Sequence, residues 1–159
     1  MPELFSKFNP TEDKIKALSK KLMEEPLYLP DEYRDYGFIH KMLFNNFGNE
    51  NNIFYEIGEW DGLIGFIGII PTFKCDIIFK LWNKELWGKS FVRQVIQLIE
   101  STMNKYKLQR IATESPDLKM VKLAKLCKFK VEGRFKNAFV WEDKMYTIHK
   151  MRILKEDIE

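Results

Sequence analysis

At 159 residues, with 45% hydrophobic and 31% charged side chains, the chain has the size and make-up of one ordinary globular domain with a real core. Its net charge of +3 suits an anionic ligand and is too small to indicate nucleic acid. Two cysteines, Cys75 and Cys127, cannot make a disulfide framework, and no Cys/His cluster has the spacing of a metal site.

The longest apolar run, Leu63 to Pro71, is too short to span a bilayer, and Met1-Pro2-Glu3-Leu4-Phe5 lacks the pattern of a signal peptide. With no internal repeat or linker, the expectation is a single cytoplasmic domain over residues 1–159, with no metal and no membrane contact.

Ile15, Leu18, Leu22 and Met23 recur at helical spacing after Thr11, which is placed as an N-cap ahead of Glu12 and Asp13. Pro26 and Pro30 interrupt. A second helix is predicted from Asp31 to about Phe47, with Tyr33, Tyr36, Phe38, Ile39, Met42 and Leu43 on its apolar side. A loop over residues 48–52 leads to a β-type run, Ile53 to Ile57. Asp61-Gly62 is a hairpin turn signal, followed by strands from Leu63 to Ile70 and from Cys75 to Trp82.

From Trp87 the apolar period becomes 3.6: Phe91, Val92, Val95, Ile96, Ile99 and Met103 share one face of a helix beginning near Gly88. Arg110 to Thr113 reads as a short strand. Asp117 to Lys128 reads as an amphipathic helix with Val121, Leu123, Ala124 and Cys127 inward. Extended segments from Phe129 to Arg134 and from Lys144 to Leu154 close the chain. This order predicts an α/β (α+β) fold, a mixed central sheet flanked by helices on both faces.

The junction Leu81-Trp82-Asn83-Lys84-Glu85-Leu86-Trp87-Gly88-Lys89-Ser90-Phe91 carries the chemistry. A strand ends, a short loop follows and a long helix opens at a glycine. The first turn of a helix has backbone N–H groups without intrahelical partners and a dipole favouring negative charge. Gly88 permits close approach, Lys89 adds a cation and Ser90 a hydroxyl, a combination suited to a diphosphate. It matches neither a Walker loop nor a dinucleotide fingerprint.

In context this stretch resembles the GNAT superfamily of N-acetyltransferases, and within it the Rim-type alanine acetyltransferases of ribosomal proteins and their small-amine relatives. Lys84-Glu85-Leu86-Trp87-Gly88-Lys89-Ser90 stands where that group has P-E-Y-W-G-K-G. Asp117-Leu118-Lys119-Met120 stands for N-x-x-S, and Leu126-Cys127-Lys128-Phe129 closes that helix in place of K-x-G-F. Glu132-Gly133-Arg134-Phe135-Lys136-Asn137-Ala138 and Asp143-Lys144-Met145-Tyr146 complete the likeness, which spans roughly Leu63 to Leu154. It implies the GNAT fold, with acetyl-CoA as cosubstrate. It also implies a pantetheine arm held by backbone near Leu81 and Trp82, a pyrophosphate bound by amides from Leu86 to Phe91, and Asp117 opening the helix that flanks the coenzyme. Departures are Ser90 for the second motif glycine, Asp117 for Asn, Met120 for Ser, Lys128 for Gly, and Thr147 for the acidic residue after the Tyr position.

The acceptor implied is a primary amine: a protein N-terminus, an amino acid or a small amine. The Tyr used as general acid in many of these enzymes falls at Ala124, so Tyr146 is the candidate acid, and Glu114 the candidate base acting through water. His149, an odd number of residues from Tyr146, belongs to the opposite strand face. His40 is a packed or surface residue. Lys119, Lys122, Lys125 and Lys128 form a solvated helix face, with the coenzyme's ribose phosphate or an acidic macromolecule as alternatives. A degenerate domain that holds acyl-CoA or a protein partner without turnover is the competing reading. The acceptor, acyl chain length and oligomeric state, a homodimer included, carry no readable motif.

Overall fold

The structure is a computed structural model describing residues 4–158. Residues 1–3, part of the stretch read as lacking a signal peptide, lie outside the described residues. Along the chain come β1 (Phe5–Lys7), α1 (Glu12–Glu24), α2 (Tyr36–Phe47), β2 (Ile53–Ile57), β3 (Gly62–Ile70), β4 (Lys74–Leu81), α3 (Lys89–Tyr106), β5 (Arg110–Ser115), α4 (Leu118–Leu126), β6 (Lys130–Trp141), β7 (Lys144–Leu154) and α5 (Lys155–Ile158). Among the described residues the strands form one seven-stranded mixed sheet ordered β1-β2-β3-β4-β5-β7-β6.

Period-two alternation divides the strand side chains between two cores. On one face Ile64, Phe66, Cys75, Ile77, Leu81, Ile111 and Met151 pack against Phe91, Val95, Leu98 and Ile99 of α3 and Val121 and Leu123 of α4. On the other, Phe54 and Leu63 meet Leu18 and Leu22 of α1 and Ile39 and Leu43 of α2. Helices thus cover both faces, as expected. Both cysteines are buried and free, and burial pushes each thiol up to about 12, so neither is a reactive thiolate.

Three departures from the sequence reading have local causes. The segment from Asp31 is a 3-10 turn ending at Tyr33. Arg34 leaves helical geometry, and Asp35 then caps α2 by accepting from Phe38 N at 2.9 Å. Tyr33, Tyr36 and Phe38 are therefore exposed rather than inward, and Tyr33 and Phe38 stack on each other at 5.1 Å. β1 was not anticipated; three residues pair with β2 and bury only Phe5. β6 runs on to Trp141 because its hairpin with β7 continues past a register shift between Phe135 and Phe139.

The feature that positions the site is a parting of strands. β4 and β5 pair in parallel at only three positions, Lys74 with Arg110, Cys75 with Ile111 and Asp76 with Ala112. Beyond them β4 continues to Leu81 and β5 to Ser115 without pairing to each other. One edge of β4 from Ile77 to Leu81 therefore lies open inside the sheet, while β3 holds the other edge.

Candidate active site

A cavity of about 70 Å³ occupies the gap between the parted strands. Its wall on the α3–α4 side is apolar, with Phe79, Val95, Met120, Leu123, Ala124 and Phe129. Its other end is polar: Tyr28, Lys80, Thr113, Ser115 and Asp117. Lys80 is opposite Leu63 of the α1–α2 core, so it faces the other side of the sheet from Phe79. One cavity thus reaches through the sheet from face to face.

On the α3–α4 face lies a groove of about 790 Å³, between the start of α3 and the outer side of α4. It is lined by Trp87, Gly88, Val92 and Leu126 and by five cationic side chains: Lys89, Arg93, Lys119, Lys122 and Lys128. Thr11, Asp35 and Asp117 accept from the first amides of α1, α2 and α4, but Gly88 leaves α3 without a side-chain cap. A Cβ added at Gly88 would meet no protein atom within 4 Å, and its backbone is fully extended. Neither packing nor dihedral strain demands glycine there; the open space is groove. Trp87 Nε1 is buried without a hydrogen-bond partner beside the same groove. Uncapped amides, clustered cations and an orphaned indole donor fit a phosphate-bearing ligand such as coenzyme A.

The cradle is shorter than expected. Leu86 N donates to Asn83 O at 3.4 Å and Trp87 N to Lys84 O at 3.2 Å, in a 3-10 turn at Lys84–Leu86 capped by Asn83. Their amides are spent, which leaves Gly88, Lys89, Ser90 and Phe91 at the uncapped end of α3. Phe91 offers only its backbone, since its ring is buried against Phe79 at 5.8 Å. Ser90 is exposed, and its Oγ accepts from Gln94 Nε2 at 3.4 Å. Leu81 is fully buried in the core. Trp82 N donates to Asp61 O at 3.1 Å and its indole to Trp60 O at 2.6 Å, so of its backbone only the carbonyl is left for a pantetheine arm. Asp117 caps α4 by accepting from Lys119 N at 2.9 Å and lines the polar end of the cavity.

The two candidate catalytic residues separate. Glu114 stands in a third recess, about 430 Å³, on the sheet face opposite the groove, with Asp76, Ile78, Arg110, Ala112 and Lys150. Its carboxylate is 3.9 Å from Lys150 Nζ and half exposed. This recess shares Ile77, Thr113 and Met151 with the central cavity, so the two adjoin. Tyr146 is not brought there. β7 carries it three positions beyond His149, the last residue paired with β5, and it lines none of the three cavities. His149 belongs to the other strand face, beside Lys125 and Arg134; burial and those two cations hold its pKa down. His40 is on the exposed side of α2.

Sequence reasoning missed Tyr28 and Lys80. Lys80 Nζ donates to Tyr28 O at 3.2 Å and lies 4.6 Å from the centre of the Tyr28 ring. Burial lowers the Lys80 pKa to about 8, partly opposed by the Asp117 carboxylate. Burial, then Glu25 and Asp117, raise the Tyr28 pKa, so its hydroxyl stays protonated at neutral pH. The available signal was a single lysine inside the otherwise apolar run Ile77-Ile78-Phe79-Lys80-Leu81. Among the described residues no cluster of His, Cys, Asp and Glu could hold a metal ion, and no helix is long and apolar enough to cross a membrane.

A seven-stranded mixed sheet that opens between β4 and β5, with a cationic groove leading to the opening, defines the acyl-CoA N-acyltransferase (GNAT) fold. A spermidine N-acetyltransferase from Vibrio cholerae, solved with CoA and spermine, superposes with a TM-score of 0.75 at 14% identity over 99% of each chain. A spermidine/spermine N-acetyltransferase from the same organism, solved with manganese ions, gives 0.65 at 17% identity over 95% of this chain and 92% of that one. A spermidine N-acetyltransferase chimera from Vibrio cholerae and hSSAT gives 0.73 at 13% identity over 98% of each. At such identities the likeness establishes the fold. No family model matches the chain, and no curated protein matches it.

Proposed function

We propose that this protein transfers an acetyl group from acetyl-CoA to a small primary amine, by direct attack within a ternary complex. The observation that carries the reading is continuity: a cationic groove, a cavity passing between parted strands and a polar recess on the far face adjoin one another. The coenzyme would lie along the groove with its phosphates on the amides of Gly88 to Phe91. Its pantetheine arm would lean on the open edge of β4, and the acceptor would come from the side of Glu114 and Asp76. Holding thioester and amine in line supplies much of the rate by itself. Glu114, half exposed at the mouth, is the proposed first taker of the proton an arriving ammonium must lose. A small-amine acceptor is supported by the fold neighbour solved with CoA and spermine. The motif order supports the Rim-type branch, and two buried free thiols support a reducing, cytoplasmic setting.

The test pairs calorimetry of acetyl-CoA binding with thiol release over a panel of polyamines, amino acids and peptides. Saturable binding with turnover of at least one amine is expected; absence of coenzyme binding at millimolar concentration rejects the proposal. A second reading, an acyl-CoA holder without turnover, is favoured by Ala124, which brings no hydroxyl to the cavity. Binding with no turnover across the panel would select it.

A further inference from the structure

Besides Asp117, three ionisable side chains line the central cavity and belong to neither the cationic groove nor the Glu114 recess: Tyr28, Lys80 and Cys127. Cys127 is buried on the α4 side with a thiol held protonated. Lys80 differs from both others. Among the described residues it is the only cationic side chain lining this cavity, and it is half-buried there. It stands on β4 at the open edge and points to the face from which the acceptor would come. It is held at two points by Tyr28 from the segment between α1 and α2, through the backbone oxygen and over the ring. Across the gap α4 presents Asp117, while β5 presents the uncharged Thr113 and Ser115, and Leu63 of β3 is apolar. Tyr28 is in turn near Glu25 and Asp117.

We propose that Lys80 is the proton carrier of the transfer, relaying one proton from the acceptor nitrogen to the departing coenzyme sulfur. This rests on the acetyltransferase reading and goes beyond it. The neutral amine attacks the thioester carbonyl, a C–N bond forms and the C–S bond breaks. The Lys80 ammonium gives a proton to the leaving sulfur. The free Lys80 amine then takes one from the nitrogen, now positively charged, so Lys80 ends as it began. The products are an amide and a thiol, with no proton gained or lost. An amine with a pKa of about 8 is matched to this task, since the reference thiol lies near 8.5 and transfer in either direction is nearly level.

Two kinds of measurement test it. In the free protein, competitive labelling with a trace amine reagent, read by mass spectrometry, should show Lys80 titrating near 8, below the other lysines, with saturating acetyl-CoA protecting it. Titration with the surface lysines, or no protection, overturns the proposal without touching coenzyme binding. In turnover, kcat/KM for the acceptor should fall above about pH 8 as Lys80 loses its proton. Lys80→Met should lower kcat by about 10²–10³-fold with coenzyme affinity kept. Lys80→Arg, a cation that does not titrate in this range, should neither restore the rate nor show the alkaline fall. Lys80→Cys alkylated to its aminoethyl form should restore turnover, the buried Cys75 and Cys127 being spared. Rescue by Lys80→Arg, or a rate for Lys80→Met within about threefold of wild type, would sink the carrier role while leaving the acetyltransferase reading intact. Absence of turnover in the wild type would sink that reading instead.

Discussion

Gly88 does no packing for the protein itself. Its missing Cβ borders open groove, and its extended backbone suits any residue. Gly88→Val is therefore expected to leave stability within about 0.5 kcal/mol while weakening acetyl-CoA by about tenfold or more. Thermal unfolding and calorimetry on one preparation check both halves. Tyr146 makes the opposite case: it lines none of the cavities, so Tyr146→Phe is expected to keep kcat within about threefold in a steady-state assay. These two residues also measure what the chain disclosed. Gly88 was legible because a helix start creates unpaired amides wherever it occurs. The loss of the Leu86 and Trp87 amides was not, since it depends on Asn83 capping a 3-10 turn. Lys80 was hidden for a third reason. Strand alternation assigns it a face, but only the parting of β4 from β5 turns that face into a cavity wall.

Among the elements, the segment between α1 and α2 works as a strut. Asp31 accepts from Glu142 N at 2.8 Å and Asp143 N at 3.1 Å, so its carboxylate holds the tip of the β6–β7 hairpin. Arg34 adds ion pairs to Asp31 and Glu142 and stacks over Trp141. Those backbone bonds, followed by Arg34, hold the Asp31 pKa below its usual value. A depressed carboxylate stabilises the fold fully above its unfolded pKa of about 3.9, and the contribution fades as pH falls through the lower folded value. The stability gap between wild type and Asp31→Asn should thus be open at neutral pH and close below about pH 4, as urea titrations across pH would read. Gly62 plays a part in the sheet: a Cβ there would meet the backbone oxygen of Lys80 at 2.5 Å. Gly62→Ala should cost about 1–3 kcal/mol and also loosen coenzyme binding, because relief requires β4 to shift at the site. The long amphipathic α3 and the β2–β3 hairpin were readable from periodicity and a turn signal. The start of α2 was misplaced because a tertiary strut, not local propensity, shapes residues 31–35.

For the whole molecule, a mild net charge of +3 conceals an uneven distribution. Lys119, Lys122 and Lys128, read from the sequence as a solvated helix face, meet Lys89 and Arg93 across one groove. Replacing Lys119 and Lys122 together with Gln should weaken acetyl-CoA by about 1–2 kcal/mol at low salt, a loss that shrinks toward 0.5 M salt as screening sets in. Calorimetry at two ionic strengths separates this from a loss of fold. The layered architecture followed from patterns within single segments. The site did not, because it arises where two segments that are distant in sequence stop pairing. That unpaired stretch of β4 has a further consequence. An edge in the middle of a sheet is an incomplete lattice, open to any strand that finds it, including one from another copy of the chain. A ligand leaning on it would act as the absent strand, so its concentration would raise the stability of the folded protein by mass action. The bare protein should therefore exchange the β4 amides that point to the open edge between Ile77 and Leu81 faster than those bonded to β3, form aggregates on storage, and be rescued from both by the coenzyme it is proposed to use.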